Sequence, residues 1–142
     1  MRALCLAFCA AAAALMFAQG CQLQQPKEDA TYLTAAQRTE VHDIPVPVGF
    51  KMDLKRSQHS IAPGLRTGYM TYTGRATAPA LLEFYKNNMP IQAWGLVRES
   101  SGGGSYSLLF EKGDEQVEVK VTPGSLMSDV TIAFFPKGSA RK

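Results

Sequence analysis

Apolar and polar residues alternate most cleanly over Val117, Val119 and Val121, with Gln116, Glu118 and Lys120 set between them. A period of two puts the two sets on opposite faces of a pleated strand. The same period recurs where Tyr106, Leu108 and Phe110 alternate with Ser107, Leu109 and Glu111, and where Val130, Ile132 and Phe134 run to Pro136. Residues 94–99 and the Thr- and Tyr-rich residues 65–75 (Tyr69, Thr71, Tyr72, Thr73) predict two further strands, and residues 50–54 a short first one. Residues 55–64 read as a polar loop punctuated by Pro63-Gly64. Gly113-Asp114, Pro123-Gly124 and the glycine-rich residues 100–105 supply tight turns, so neighbouring strands pair antiparallel.

The period changes once. Thr77 offers an N-cap, and Pro79 is tolerated in a first helical turn. Leu81, Leu82, Tyr85 and Met89 then share one helical face, with Phe84 beside them, before Asn87-Asn88 and Pro90 end the run. Strands with clean alternation have one face in water and one on a core. The single helix has to cover the apolar face. The expected fold class is therefore α+β, an antiparallel sheet of four to six strands with one α-helix packed on one face.

Chain organisation follows from shifts in composition. Ile44-Pro45-Val46-Pro47-Val48 forces an extended entry. A single domain is accordingly expected over residues 44–138, roughly 95 residues, enough to fold alone around a modest core. Residues 139–142 form a basic tail. Residues 21–43 are largely polar and read as a flexible tether with an r.m.s. span of about 25 Å. Ahead of it, Met1-Arg2 gives a short positive start, and residues 3–18 are almost wholly apolar. That is the anatomy of a cleaved targeting segment over residues 1–20, too short to span a bilayer comfortably as a mature helix.

This division changes how the composition reads. With 46% apolar residues the chain is not disordered over its full length, although the targeting segment inflates that fraction. Of three cysteines, Cys5 and Cys9 leave with the targeting segment, and the folded part retains none. It is then held by its core without disulfides and cannot be a thiol enzyme or a cysteine-ligated metal protein. No cofactor or metal site is expected.

Candidate chemistry is sparse. Ser100-Ser101-Gly102-Gly103-Gly104-Ser105 lacks the following helix and Lys-Ser/Thr pair of a phosphate loop, and reads as a hairpin turn. His42 lies in the tether and His59 in a polar loop, both read as solvent-exposed. Glu111, Asp114, Glu115 and Glu118 cluster at one hairpin and read as a solvated face with cross-strand pairs. Bases outnumber acids between residues 44 and 98. Lys51, Lys55, Arg56, Arg66 and Arg75 are candidate contacts for an anionic partner such as lipid headgroups or an acidic envelope polymer. Nucleic acid is not an expected partner, since export removes the chain from it and no recognition motif is present. Trp94, with Phe84 and Tyr85, reads as core, the other reading being a groove that holds a ligand.

Ala18-Gln19-Gly20-Cys21 resembles the lipobox of bacterial lipoproteins, with Ala18 where that pattern prefers Leu. The resemblance implies a diacylglyceryl group on the Cys21 sulfur, cleavage before it, and three acyl chains in the mature protein. Several chains anchor far more durably than one, at about 0.8 kcal/mol per buried methylene. Gln22, rather than Asp, after the cysteine implies the outer membrane, periplasmic side, over the inner. If the lipobox is not used, the same segment is a plain secretory signal and the protein is secreted. Phe84-Tyr85-Lys86-Asn87-Asn88-Met89-Pro90 followed by Trp94-Gly95-Leu96-Val97 resembles the helix-to-strand passage of small bacterial, planctomycete-like envelope lipoproteins. Ala93 stands where that pattern carries Gly. That resemblance carries no catalytic residues.

The leading expectation is a lipid-anchored cell-envelope protein serving as a non-enzymatic interaction module, in contact with the membrane through lipid on Cys21 and with an envelope protein or anionic polymer. Beside it stand a small-ligand or lipid carrier with a groove between helix and sheet, and a hydrolase without a visible motif.

Overall fold

A computed structural model describes residues 33–37, 39–62 and 65–138. The elements run β1 (Lys51–Met52), a 3-10 turn (Leu54–Arg56), β2 (Gln58–Ala62), β3 (Leu65–Gly74), α1 (Ala78–Asn88), a second 3-10 turn (Pro90–Gln92), β4 (Gly95–Gly102), β5 (Ser105–Lys112), β6 (Glu115–Pro123) and β7 (Ser128–Pro136). Every strand pairing is antiparallel, in the order β1-β3-β7-β6-β5-β4, with β2 on the outer side of β3. The architecture is α+β, with seven strands where four to six were expected and one α-helix among the described residues.

Register follows the hydrophobic pattern. Met70, Ile132, Val119 and Leu108 form one row across β3, β7, β6 and β5, and Phe134, Val117 and Phe110 form the next. All seven are buried. A one-residue slip of any strand would turn its whole apolar set toward water. The outward rows are polar, for example Thr71, Thr131, Lys120 and Ser107, with the Thr71 and Thr131 hydroxyls 3.2 Å apart.

α1 starts as its sequence predicts. The Thr77 hydroxyl accepts a hydrogen bond from the Ala80 N–H, and Pro79 occupies the first turn. Leu81, Phe84 and Tyr85, with Met89 at the C-cap, bury against the sheet. Ala93 then takes a left-handed φ of 65°, a conformation glycine adopts at lower cost.

Three expectations are corrected. Residues 58–62 are strand β2, not loop. Every residue of β2 is exposed, so burial imposes no hydrophobic period on it. Gly68 makes the pairing possible, because a Cβ there would lie 2.2 Å from the Gln58 carbonyl oxygen, and φ is +106°. The glycine-rich residues 100–105 are mostly strand, the turn narrowing to Gly103 and Gly104, both at positive φ.

Third, the domain begins before Ile44. Residues 33–37 and 39–50 form a strap that doubles back on itself. The Ala36 N–H donates to the Val46 carbonyl at 2.7 Å and the Val48 N–H to the Thr34 carbonyl at 2.8 Å. Val41, Ile44 and Val46 enter the same core as the sheet and helix, with Leu33, Ala35 and Phe50 against it. The part of the expected tether from residue 33 onward thus belongs to the fold. Its apolar residues are too few and too irregularly spaced to produce a period.

Candidate functional site

The strap is fastened at Asp43. The Arg66 guanidinium from β3 grips the Asp43 carboxylate through Nη1 at 2.6 Å and Nη2 at 3.1 Å, and Lys112 Nζ from β5 donates to it at 3.0 Å. The same guanidinium reaches Glu115 of β6 through Nε at 2.9 Å and Nη2 at 2.5 Å. Arg66 lies 5.6 Å from the Trp94 ring centre and 5.2 Å from that of Phe134, with Lys112 5.4 Å from Trp94. Trp94 Nε1–H donates to the Asp43 carbonyl at 3.0 Å. One half-buried cluster thereby joins the strap to β3, β5 and β6 and to Trp94 just ahead of β4.

The charges respond accordingly. Burial pushes the Asp43 carboxyl up, but its hydrogen bonds to Arg66 and Lys112 outweigh this and hold it below the usual carboxylate range. The hydrogen bond from Arg66 holds Glu115 below its usual range too. With its partners already supplied, the cluster is a fastening and leaves no charge for a ligand.

The strap also walls a recess. An open pocket of about 510 Å³ is lined by Ala36, Thr39, Glu40, His42 and Val46 of the strap, Phe50 and Met52 at β1, and Tyr72 of β3. Its size suits a small ligand. Gly74 holds the Phe50 end close, since a Cβ there would meet the Phe50 ring at 2.4 Å. The Tyr72 hydroxyl donates toward Met70 Sδ at 3.8 Å. Its ionisation is pushed up to about 12, first by burial and then by the charge of Glu40.

The groove expected between helix and sheet is closed to solvent. Leu81, Phe84, Tyr85, Met89, Trp94, Leu108, Phe110, Val117 and Val119 are all at most 3% exposed. Trp94 is core, and no open groove runs beside it among the described residues.

Of the candidate anionic-partner contacts, Lys51, Lys55 and Arg75 are exposed, but two are already engaged. Arg56 pairs with Asp53 at 2.7 Å and Asp129 at 2.5 Å, and Arg66 is held by Asp43 and Glu115. The basic excess of residues 44–98 is therefore not one free patch, because strand pairing brings acids distant in sequence onto the arginines. Cys21 lies outside the described residues. His59 sits on exposed β2, and among the described residues its side chain makes no hydrogen bond or ion pair. Among the described residues no three His, Cys, Asp or Glu side chains assemble a metal site.

Sequence reasoning missed the pocket because its walls come from residues read as tether (Ala36, Thr39, Glu40) and from Tyr72, which reads as an ordinary strand position. His42 alone was singled out, and only as an exposed side chain.

The model of the START domain-like family matches residues 55–133, from within the first 3-10 turn to within β7. Of the pocket-lining residues only Tyr72 falls inside that match. No curated protein and no solved structure matches the chain. The match covers more than half of the 142 residues, and the chain belongs to the START domain-like family.

Proposed function

We propose that the chain is a non-enzymatic ligand-binding module of the bacterial cell envelope, carried on lipid at Cys21, with the strap pocket as its binding site. The observation that carries this reading is the recess of about 510 Å³ between the strap, β1 and Tyr72, with both polar and apolar walls. Membership in the START domain-like family supports a ligand-binding module. The lipobox-like Ala18-Gln19-Gly20-Cys21 supports the anchor. Together they describe a small cysteine-free domain, held by its core and its strap fastening, that presents a pocket near a membrane surface, on the periplasmic side of the outer membrane. Residues 22–32 would supply the spacer between lipid and fold.

Exposed Lys51, Lys55 and Arg75 favour a second reading, in which the same module touches an envelope protein or anionic polymer. A polymer contact of that kind would weaken with added salt.

The anchor has its own test. In bacteria expressing the chain, metabolic labelling with a fatty-acid analogue should tag the parent protein and leave Cys21→Ala unlabelled and released to the soluble fraction. Labelling that persists in Cys21→Ala would overturn the anchor.

A further inference from the structure

We infer that one end of the sheet docks on an anionic phospholipid surface, a membrane contact separate from the acyl group on Cys21. The choice of partner rests on the cell-envelope reading above, and the surface itself does not depend on the strap pocket. This end is formed by the close of β3, the start of β7 and the turn between β6 and β7, where Ser128 pairs with Gly74 and Pro123. The 3-10 turn Leu54–Arg56 is bound to the same end. Arg56 Nη2 donates to the Thr73 hydroxyl at 3.0 Å, and its Nη1 pairs with Asp129 at 2.5 Å. The Ser128 hydroxyl donates to the Ala76 carbonyl at 2.7 Å, which ties in the segment after β3.

Two short turns at this end hold apolar side chains out in water. Leu54 and Leu126 are the two most exposed large apolar side chains of the described residues, at 80% and 77%, and Met127 follows Leu126 at 46%. The first turn buries none of its residues. It is held by Asp53, whose carboxylate accepts from the Lys55 and Arg56 N–H groups, so Leu54 is not needed to form it. Lys51, Lys55 and Arg75 are exposed at the same end, and the neighbouring acids Asp53 and Asp129 are both held by Arg56. Exposed apolar side chains set among cations suit the boundary between acyl chains and anionic headgroups. The apolar groups leave water there, and the cations meet phosphate. An acidic polymer would engage the cations and leave the leucines in water.

The chain from the anchor arrives at this same end. The Thr34 carbonyl accepts from the Val48 N–H at 2.8 Å. Three residues beyond Val48, Lys51 stands opposite Thr73 near the close of β3. From Thr34 the strap runs to Asp43 at the far end of the sheet, where Arg66 and Lys112 hold it, and then returns. Residues 22–32 reach at most about 40 Å. The end that receives them is therefore the end turned toward the membrane that holds Cys21.

Tryptophan quenching tests this on the full chain bound to vesicles of phosphatidylglycerol and phosphatidylcholine with brominated acyl chains. Leu54→Trp, Leu126→Trp and, at the opposite end of β3, Leu65→Trp each add one indole at an exposed position. Buried Trp94 gives a background common to all three. The readout is local, so attachment through the N-terminal residues does not by itself produce a difference. The expected result is quenching of the added indole at Leu54→Trp and Leu126→Trp about threefold or more above that at Leu65→Trp. The difference should vanish on vesicles of phosphatidylcholine alone, and when Lys51→Glu, Lys55→Glu and Arg75→Glu are combined. Equal quenching at the three positions, or none at any, would overturn the docking surface. A difference that survives both the neutral vesicles and the charge reversal would overturn the anionic preference. Acyl labelling of Cys21 reads the anchor separately, so the anchor and the docking surface can fail independently.

Discussion

Trp94→Ala is expected to cost about 3–5 kcal/mol of stability and to lower Tm by on the order of 20 °C. Trp94 is 1% exposed and is the largest fully buried side chain of the fold. Its loss removes a large side chain from the core cluster that it shares with α1 and the sheet, and leaves a cavity there. It also removes the Nε1–H bond to the Asp43 carbonyl and the ring against which Arg66 and Lys112 lie. Trp94→Phe separates the two parts. It retains much of the apolar area and loses the strap hydrogen bond, which on its own is worth about 1 kcal/mol. Thermal melts followed by near-ultraviolet circular dichroism measure both. A Trp94→Ala protein melting within a few degrees of the parent would mean that this side chain faces a groove and not the core.

Arg66→Ala is the second large effect, expected at about 2–4 kcal/mol. Breaking a well-buried ion pair by removing one partner costs about 3–5 kcal/mol, and the Arg66 side chain retains 14% exposure, which moderates the loss. The substitution leaves the Asp43 and Glu115 carboxylates near one another with only Lys112 to offset them. It should also change the dependence of stability on pH. Both acids are held below the usual carboxylate range in the folded chain. The unfolded chain therefore binds protons first as pH falls, through about pH 4–4.5. Stability from these pairs is complete above that range and is lost as pH drops through it toward the folded values. Urea titrations at pH 7, 5 and 3.5 should show the parent losing stability steeply over the lower interval and Arg66→Ala losing distinctly less. Parallel pH profiles for the two proteins would show that the cluster is not what fastens the strap. Because Trp94 and Arg66 touch, their effects should fall short of additive in the double variant.

Much of the fold is legible in the sequence because burial imposes a period. The valine alternation of β6, the closing rows of β7 and the helical face of α1 all face one core, and each was readable in isolation. Where burial is absent the signal fails. β2 is exposed along its whole length and is held by backbone pairing to β3 over Gly68, which leaves no apolar mark. The strap fails for a different reason. It is anchored by three scattered apolar residues and a carboxylate, and Asp43 finds its partners 23 and 69 residues away. Arg66 illustrates the cost to functional inference. Counted along the chain it contributes to a basic excess, whereas in space it is held by two carboxylates, as Arg56 is. Thr39 and Glu40 are the reverse case, unremarkable residues in a polar stretch that line the same recess as Phe50 and Tyr72.

The central claim is that ligand binds in the strap pocket and not between helix and sheet. Amide chemical-shift mapping of the isotopically labelled chain during titration with decyl maltoside, a probe with an alkyl chain and an uncharged head, tests it most directly. The account predicts shifts concentrated at Ala36, Thr39, Glu40, His42, Met52 and Tyr72, with Leu81, Tyr85, Trp94 and Phe110 unmoved. Shifts concentrated instead at Trp94, Leu81 and Phe110 would contradict it.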